Sequence, residues 1–163
     1  MKTLTWNPSV LRPRILLRFL LAVLLIAGAS ACGGPKSVKL RATMDVQPAV
    51  NPDTRGRSSP IVVRVYALKS MAAFDSASFF SLYGKDKETL GGDLVDSEEL
   101  ELLPGEKREF QKEFPPDTHY IAVFAAFRDV EHARWRDSVA LDSHSVKMQI
   151  RLENTSISIV PPK

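Results

Sequence analysis

Three histidines (His119, His132 and His144), the run Asp142-Ser143-His144, the acid pair Glu98-Glu99 and one cysteine, Cys32, could carry proton transfer, metal binding or nucleophilic attack in this 163-residue chain. The histidines stand 13 and 12 residues apart. That spacing lacks the H-x-H or H-E-x-x-H pairing through which two imidazoles reach one metal ion, so solvated or capping roles are expected. Neighbours on a strand point to opposite faces, which argues against Ser143 meeting His144 as nucleophile and base, and against Glu98 and Glu99 sharing a proton. The sequence has no G-x-S-x-G elbow, and Gly91-Gly92 is not followed by the Lys-Ser/Thr of a phosphate loop. The expectation is a protein that is not an enzyme, with no catalytic residue, no metal and no dissociable cofactor.

Cys32 is the chemistry that is left. Residues 1–18 carry Lys2, Arg12, Arg14 and Arg18 without an acid, Phe19 to Ala27 is uninterrupted apolar sequence, and Gly28-Ala29-Ser30-Ala31 are small. These are the parts of a secretory signal. The nine apolar residues fall short of the roughly 20 that a helix needs to cross a bilayer core. The stretch Ala29-Ser30-Ala31-Cys32 resembles the bacterial lipobox. That resemblance implies an S-diacylglycerol on Cys32, cleavage just before it and acylation of the new amino group. An ordinary secretory cut after Ala31 also fits the pattern, but it would leave a lone thiol in an oxidising compartment. The expected organisation is a lipoprotein signal peptide at 1–31, the lipidated cysteine and a short tether at 32–37, and one folded domain at 38–163.

Processing changes the charge. The precursor has a formal charge of +3 and a pI near 9.1. Removing residues 1–31 takes four of the 22 basic side chains and none of the 19 acids, leaving 18 against 19, or −1. The basic residues that remain are scattered, so nucleic acid is not an expected partner.

The mature chain reads mostly with period two. Val38, Leu40, Ala42, Met44 and Val46 alternate with polar residues, as on a half-buried strand. Ile61 to Leu68 and Tyr120 to Phe127 are apolar on both faces, as in interior strands. Leu100 and Leu102 lead into Leu103-Pro104-Gly105-Glu106, a type II turn signal, and Lys107 to Phe114 is expected to return as the second strand of that hairpin. Pro115-Pro116-Asp117-Thr118 marks another turn, and Val146 to Leu152 with Ile157 and Ile159 reads as a terminal hairpin. Ser70 to Tyr83 breaks the rhythm: Ala73, Ala77 and Phe80 form a helical face, with Ser70 as its N-cap. The fold class expected is all-β, a two-layer antiparallel β-sandwich of seven or eight strands with a small helical insertion.

Between the first two strands, Pro48 to Pro60 is far longer than the 2–5 residues of a hairpin loop. A long loop stiffened by proline and supplied with arginine forks is a place for binding.

Asn51-Pro52-Asp53, Gly56-Arg57 and Pro60, then Val63-Arg64-Val65-Tyr66, Phe79-Phe80-Ser81-Leu82-Tyr83, Leu103-Pro104-Gly105-Glu106, Ala126-Phe127-Arg128-Asp129 and Trp135-Arg136 together resemble the TssJ (SciN) lipoproteins of the type VI secretion system. The resemblance implies a transthyretin-like sandwich held by lipid in the inner leaflet of the outer membrane and facing the periplasm. It implies as partners the periplasmic C-terminal region of TssM and, within the same membrane complex, TssL. It also implies that the first long loop contacts TssM, a role carried here by Asn51, Asp53, Arg55 and Arg57. Gly33 to Ser37 reaches at most about 18 Å when extended, so the domain is expected close beneath its membrane. The alternative expectation is a lipid-anchored periplasmic carrier of a small ligand, or an envelope enzyme, with a pocket near residues 70–83.

Overall fold

The computed structural model describes residues 36–161. The expected signal peptide at 1–31 and Cys32 lie outside the described residues. Eight strands follow in order: β1 (Val38–Val46), β2 (Ile61–Leu68), β3 (Leu94–Leu102), β4 (Lys107–Phe114), β5 (Tyr120–Ala125), β6 (Arg136–Ala140), β7 (Ser145–Leu152) and β8 (Ile157–Val160). They form two four-stranded sheets, ordered β4-β1-β7-β8 and β3-β2-β5-β6. This is the expected two-layer sandwich, with one departure: β1 and β7 pair in parallel, while the other strand pairs are antiparallel.

Alternation in β1 has its expected effect. Val38, Leu40, Ala42, Met44 and Val46 are buried, and Lys39 and Arg41 face water. Their inward row packs with Val63, Val65, Ile121 and Val123 of the second sheet, and with Phe114 and Ile150 of their own. Each such side chain stabilises the fold by about 1.5–3 kcal/mol on full burial. The remaining face of β2 and β5, carrying Tyr66, Leu68, Ala122 and Phe124, is covered by Phe74, Phe79, Leu82 and Leu90 of the helical insertion. Two covered faces explain why these strands are apolar throughout.

The insertion is two helices rather than one, α1 (Ala72–Ser76) and α2 (Phe79–Leu90), separated by an extended Ala77. Met71 occupies the N-cap position of α1, and Ser70 accepts only from the amide of Ala72 at 3.2 Å. Ser78 caps α2, its Oγ accepting from the Ser81 amide at 3.1 Å. The break at Ala77 resets the helical phase, so the expected face through Ala73, Ala77 and Phe80 is not the buried one. Phe74 and Phe79 point inward, and Phe80 is 74% exposed. Two arginines of the sheet hold the helices by their backbone. Arg136 donates to the carbonyls of Phe74, Asp75 and Ala77 at 2.7–3.1 Å, and Arg64 donates to those of Leu82 and Tyr83 at 2.7 and 3.1 Å.

The expected hairpin of β3 and β4 is not formed. The turn is there, with Gly105 at φ +77° and the Glu106 amide donating to Leu103 O at 3.1 Å. It carries the chain from one sheet to the other, since β3 pairs with β2 and β4 with β1. Lys112 of β4 closes this open side, its Nζ lying 3.0 Å from Asp96 and 2.8 Å from Glu98 of β3.

Register assigns the connections to two ends. The turn at 103–106 joins Leu102, opposite Ile61, to Lys107, opposite Asp45. The segments 47–60, 103–106, 126–135 and 153–156 therefore gather at the Val46 end of β1. The chain enters β1 at Val38, at the other end of the same unbroken strand.

Candidate functional site

The loop end of the sandwich is built around Asn51. Its backbone takes φ +49°, a left-handed conformation that asparagine tolerates better than other residues with a side chain. Its side chain is buried and used at both ends: Nδ2 donates to Pro60 O at 2.9 Å and Oδ1 accepts from the Arg128 amide at 2.9 Å. Its backbone amide donates to Asn154 O at 2.9 Å. One residue thereby ties the 48–60 loop to its own far end, to the β5–β6 connection and to the β7–β8 turn.

Asp53 organises the tip. One carboxylate oxygen accepts from the amides of Arg55 and Arg57 at 2.8 and 2.9 Å, and the other accepts from Arg57 Nε at 2.8 Å. These hydrogen bonds, led by the Arg57 amide, hold the carboxyl below its ordinary range. Gly56, at φ +76°, makes the tight reversal between the arginines. Beneath it, Val50 is buried and Ser58 Oγ donates to Pro48 O at 2.6 Å. Proline, an internal carboxylate and cross-braced backbone together order the loop before any partner arrives.

Of the four loop residues expected to contact a partner, the structure divides them by role. Asn51 is 4% exposed and Asp53 is turned into its own loop. Arg55 and Arg57 present their guanidinium groups at the surface, although Arg57 also pairs with Asp53 at 2.7 Å. A neighbour absent from the expected set is Arg128, exposed on the β5–β6 connection and brought beside Asp53 by the Asn51 bridge. With Pro52, Asp53, Thr54, Asp129 and Thr155 it lines a cleft of about 470 Å³. Its proximity to the loop follows from a contact 77 residues apart in sequence, which local patterning does not register.

The residues considered for catalysis are dispersed. His132 Nδ1 lies 2.8 Å from Asp129, a contact that raises the imidazole above its ordinary pKa. Asp142-Ser143-His144 occupies the bend between β6 and β7 rather than a strand, and Ser143 Oγ donates to Ser145 O at 3.0 Å. Glu98 and Glu99 point to opposite sides of edge strand β3, one to Lys112 and the other to Arg64 at 2.6 Å. Among the described residues no three metal-ligating side chains converge, and no helix is long and apolar enough to cross a membrane. The space between the sandwich and residues 70–83 is filled by Tyr66, Phe74, Phe79, Leu82 and Phe124.

The family model described as "Type VI secretion lipoprotein, VasD, EvfM, TssJ" matches residues 38–155. Three solved structures share the fold. The type VI lipoprotein TssJ1 from Pseudomonas aeruginosa is 31% identical, with a TM-score of 0.74, 78% of this chain and 98% of that one covered. Lip from Serratia marcescens, a membrane-bound component of the type VI secretion system, is 27% identical with a TM-score of 0.70, covering 76% and 97%. A chain of a structure described as a type VI membrane complex is 25% identical with a TM-score of 0.68, covering 78% and 100%. Among curated protein sequences no match is found.

Proposed function

The chain belongs to the type VI secretion lipoprotein family, and from that premise we propose that it is a lipid-anchored scaffold of the secretion system's membrane complex. In this reading Cys32 carries the S-diacylglycerol and N-acyl groups and resides in the inner leaflet of the outer membrane. The domain faces the periplasm and docks the C-terminal periplasmic region of TssM, with TssL in the same complex. The protein performs no catalysis, and the fatty chains are its only non-protein group.

The observation that supports this reading is that the N-terminal entry of the chain and its arginine-bearing loop stand at opposite ends of β1. The tether leads into Val38, and the ordered, arginine-bearing loop leaves from Val46. Nine residues at about 3.3 Å each separate them by roughly 30 Å, so a membrane at one end leaves the other accessible. Two or more acyl chains, each methylene contributing about 0.8 kcal/mol on burial, suffice for stable residence, whereas one does not.

The test uses the full lipoprotein in detergent with the purified TssM periplasmic C-terminal region. Binding is expected, and the doubly reversed variant R55E/R57E is expected to lose at least tenfold in affinity; unchanged affinity refutes the docking face. In cells Cys32→Ser is expected to leave the precursor unlipidated and secretion abolished, and normal export by that variant refutes the anchoring role.

A further inference from the structure

We propose that the cleft between the 48–60 loop and the β5–β6 connection is a receptor for an acidic side chain of the protein partner, with Arg128 as the residue that grips it. The inference rests on the docking reading above and specifies its chemistry.

The cleft has three walls, Pro52 to Thr54, Arg128 with Asp129, and Thr155, contributed by connections from both sheets. They are braced against one another: Arg128 N donates to Asn51 Oδ1, Asn51 N to Asn154 O, and Arg134 N to Thr155 O, each at 2.9 Å. A cavity framed this way keeps its shape without a ligand, which lowers the ordering cost of docking. At about 470 Å³ it has room for a few side chains of a peptide segment.

Charge decides what fits. The two acids of the wall are already occupied, Asp53 by Arg57 and two loop amides, Asp129 by His132. Arg128 makes no ion pair and no side-chain hydrogen bond among the described residues, and neither do the Thr54 and Thr155 hydroxyls. The cleft thus presents one guanidinium fork without an ion pair and two free hydroxyls, beside carboxylates that already have partners of their own. A planar carboxylate answers a fork with two parallel hydrogen bonds, and the hydroxyls suit the polar backbone of the segment that carries it. The occupant is an aspartate or glutamate on a segment of the partner lying across the loop end, since one wall of the cleft, Pro52 to Thr54, belongs to the loop that carries Arg55 and Arg57, at the Val46 end of β1.

The experiment compares full lipoprotein carrying Arg128→Glu, Arg128→Lys or Arg41→Glu for binding to the TssM periplasmic region at two salt concentrations. Arg41 is an exposed residue on β1, outside the loop end. The expected result is a loss of tenfold or more for R128E, a smaller loss for R128K, which keeps the charge without the fork, and no change for R41E. Because the Arg128 side chain makes no ion pair or hydrogen bond among the described residues, and its charge is what favours the neighbouring Asp53 carboxylate, thermal unfolding of R128K, which keeps that charge, should match the parent. Equal losses for R128E and R41E would show general electrostatics and overturn the site. So would full binding by R128E, which leaves the docking reading intact. Failure of the unsubstituted lipoprotein to bind overturns both.

Discussion

At the scale of single residues, the loop end depends on side chains that never meet a partner. Asn51 contributes two partly buried side-chain hydrogen bonds and a left-handed backbone conformation. Replacing it with alanine removes the partners of Pro60 O and the Arg128 amide, at about 1 kcal/mol for each net hydrogen bond lost where water can partly replace it. We expect Asn51→Ala to lower stability by that amount in urea unfolding and to weaken the proposed binding to TssM without removing any exposed contact. A loss of stability below about 0.5 kcal/mol would show that the bridge is incidental. The family resemblance assigns contact to the whole loop and so groups Asn51 and Asp53 with Arg55 and Arg57. Position along the chain identifies a loop; only the fold separates the side chains that frame it from those that face outward. Arg128 was visible in a motif but could not be joined to the loop, because the joining atom is an asparagine amide far away in sequence.

At the scale of elements, period-two alternation and doubly apolar runs locate β1, β2, β5, β7 and β8, because burial on one or both faces writes itself directly into the residue pattern, and the turn at 103–106 locates the start of β4. β6 was missed. It is an edge strand, Arg-Asp-Ser-Val-Ala, with no fully buried residue, and it is held by pairing with β5 and by Asp137 accepting from the Ile159 amide at 2.8 Å. The β3–β4 turn was read correctly as a turn and wrongly as a hairpin, since turn chemistry specifies a reversal and says nothing about which sheet receives the chain. The helices depend on arginines that no helical pattern contains. Removing Arg136 leaves three carbonyls near the C-terminal end of α1 without their charged donor, and hydrogen bonds to charged groups are worth about 1.5–3 kcal/mol each as a net contribution. Part of that returns when water reaches the carbonyls. Arg136→Ala is therefore expected to raise amide hydrogen exchange across residues 72–90 at least tenfold while β1 and β5 stay protected. Uniform acceleration through all strands would show that the helices are not a separate unit of stability.

At the scale of the whole folded unit, the proposed anchoring by lipid at one end and docking by the long loop at the other would put tension between those two points. The covalent path between them is short: the tether, then β1, then the first residues of the loop. A β-strand already rises about 3.3 Å per residue against a limit near 3.6 Å, so β1 has almost no slack to release. Unfolding the sandwich lengthens this path very little, and a pulling force gains little work from doing it. Single-molecule stretching between residues 37 and 55 should release no more contour than the loop itself stores, whereas stretching between residues 37 and 161 should release the whole domain. A full-length release in the first geometry would show that the load spreads into the fold. Otherwise, under the proposed anchoring, the strand acts as a strap already drawn taut, and the rest of the sandwich is spared strain applied between its two ends.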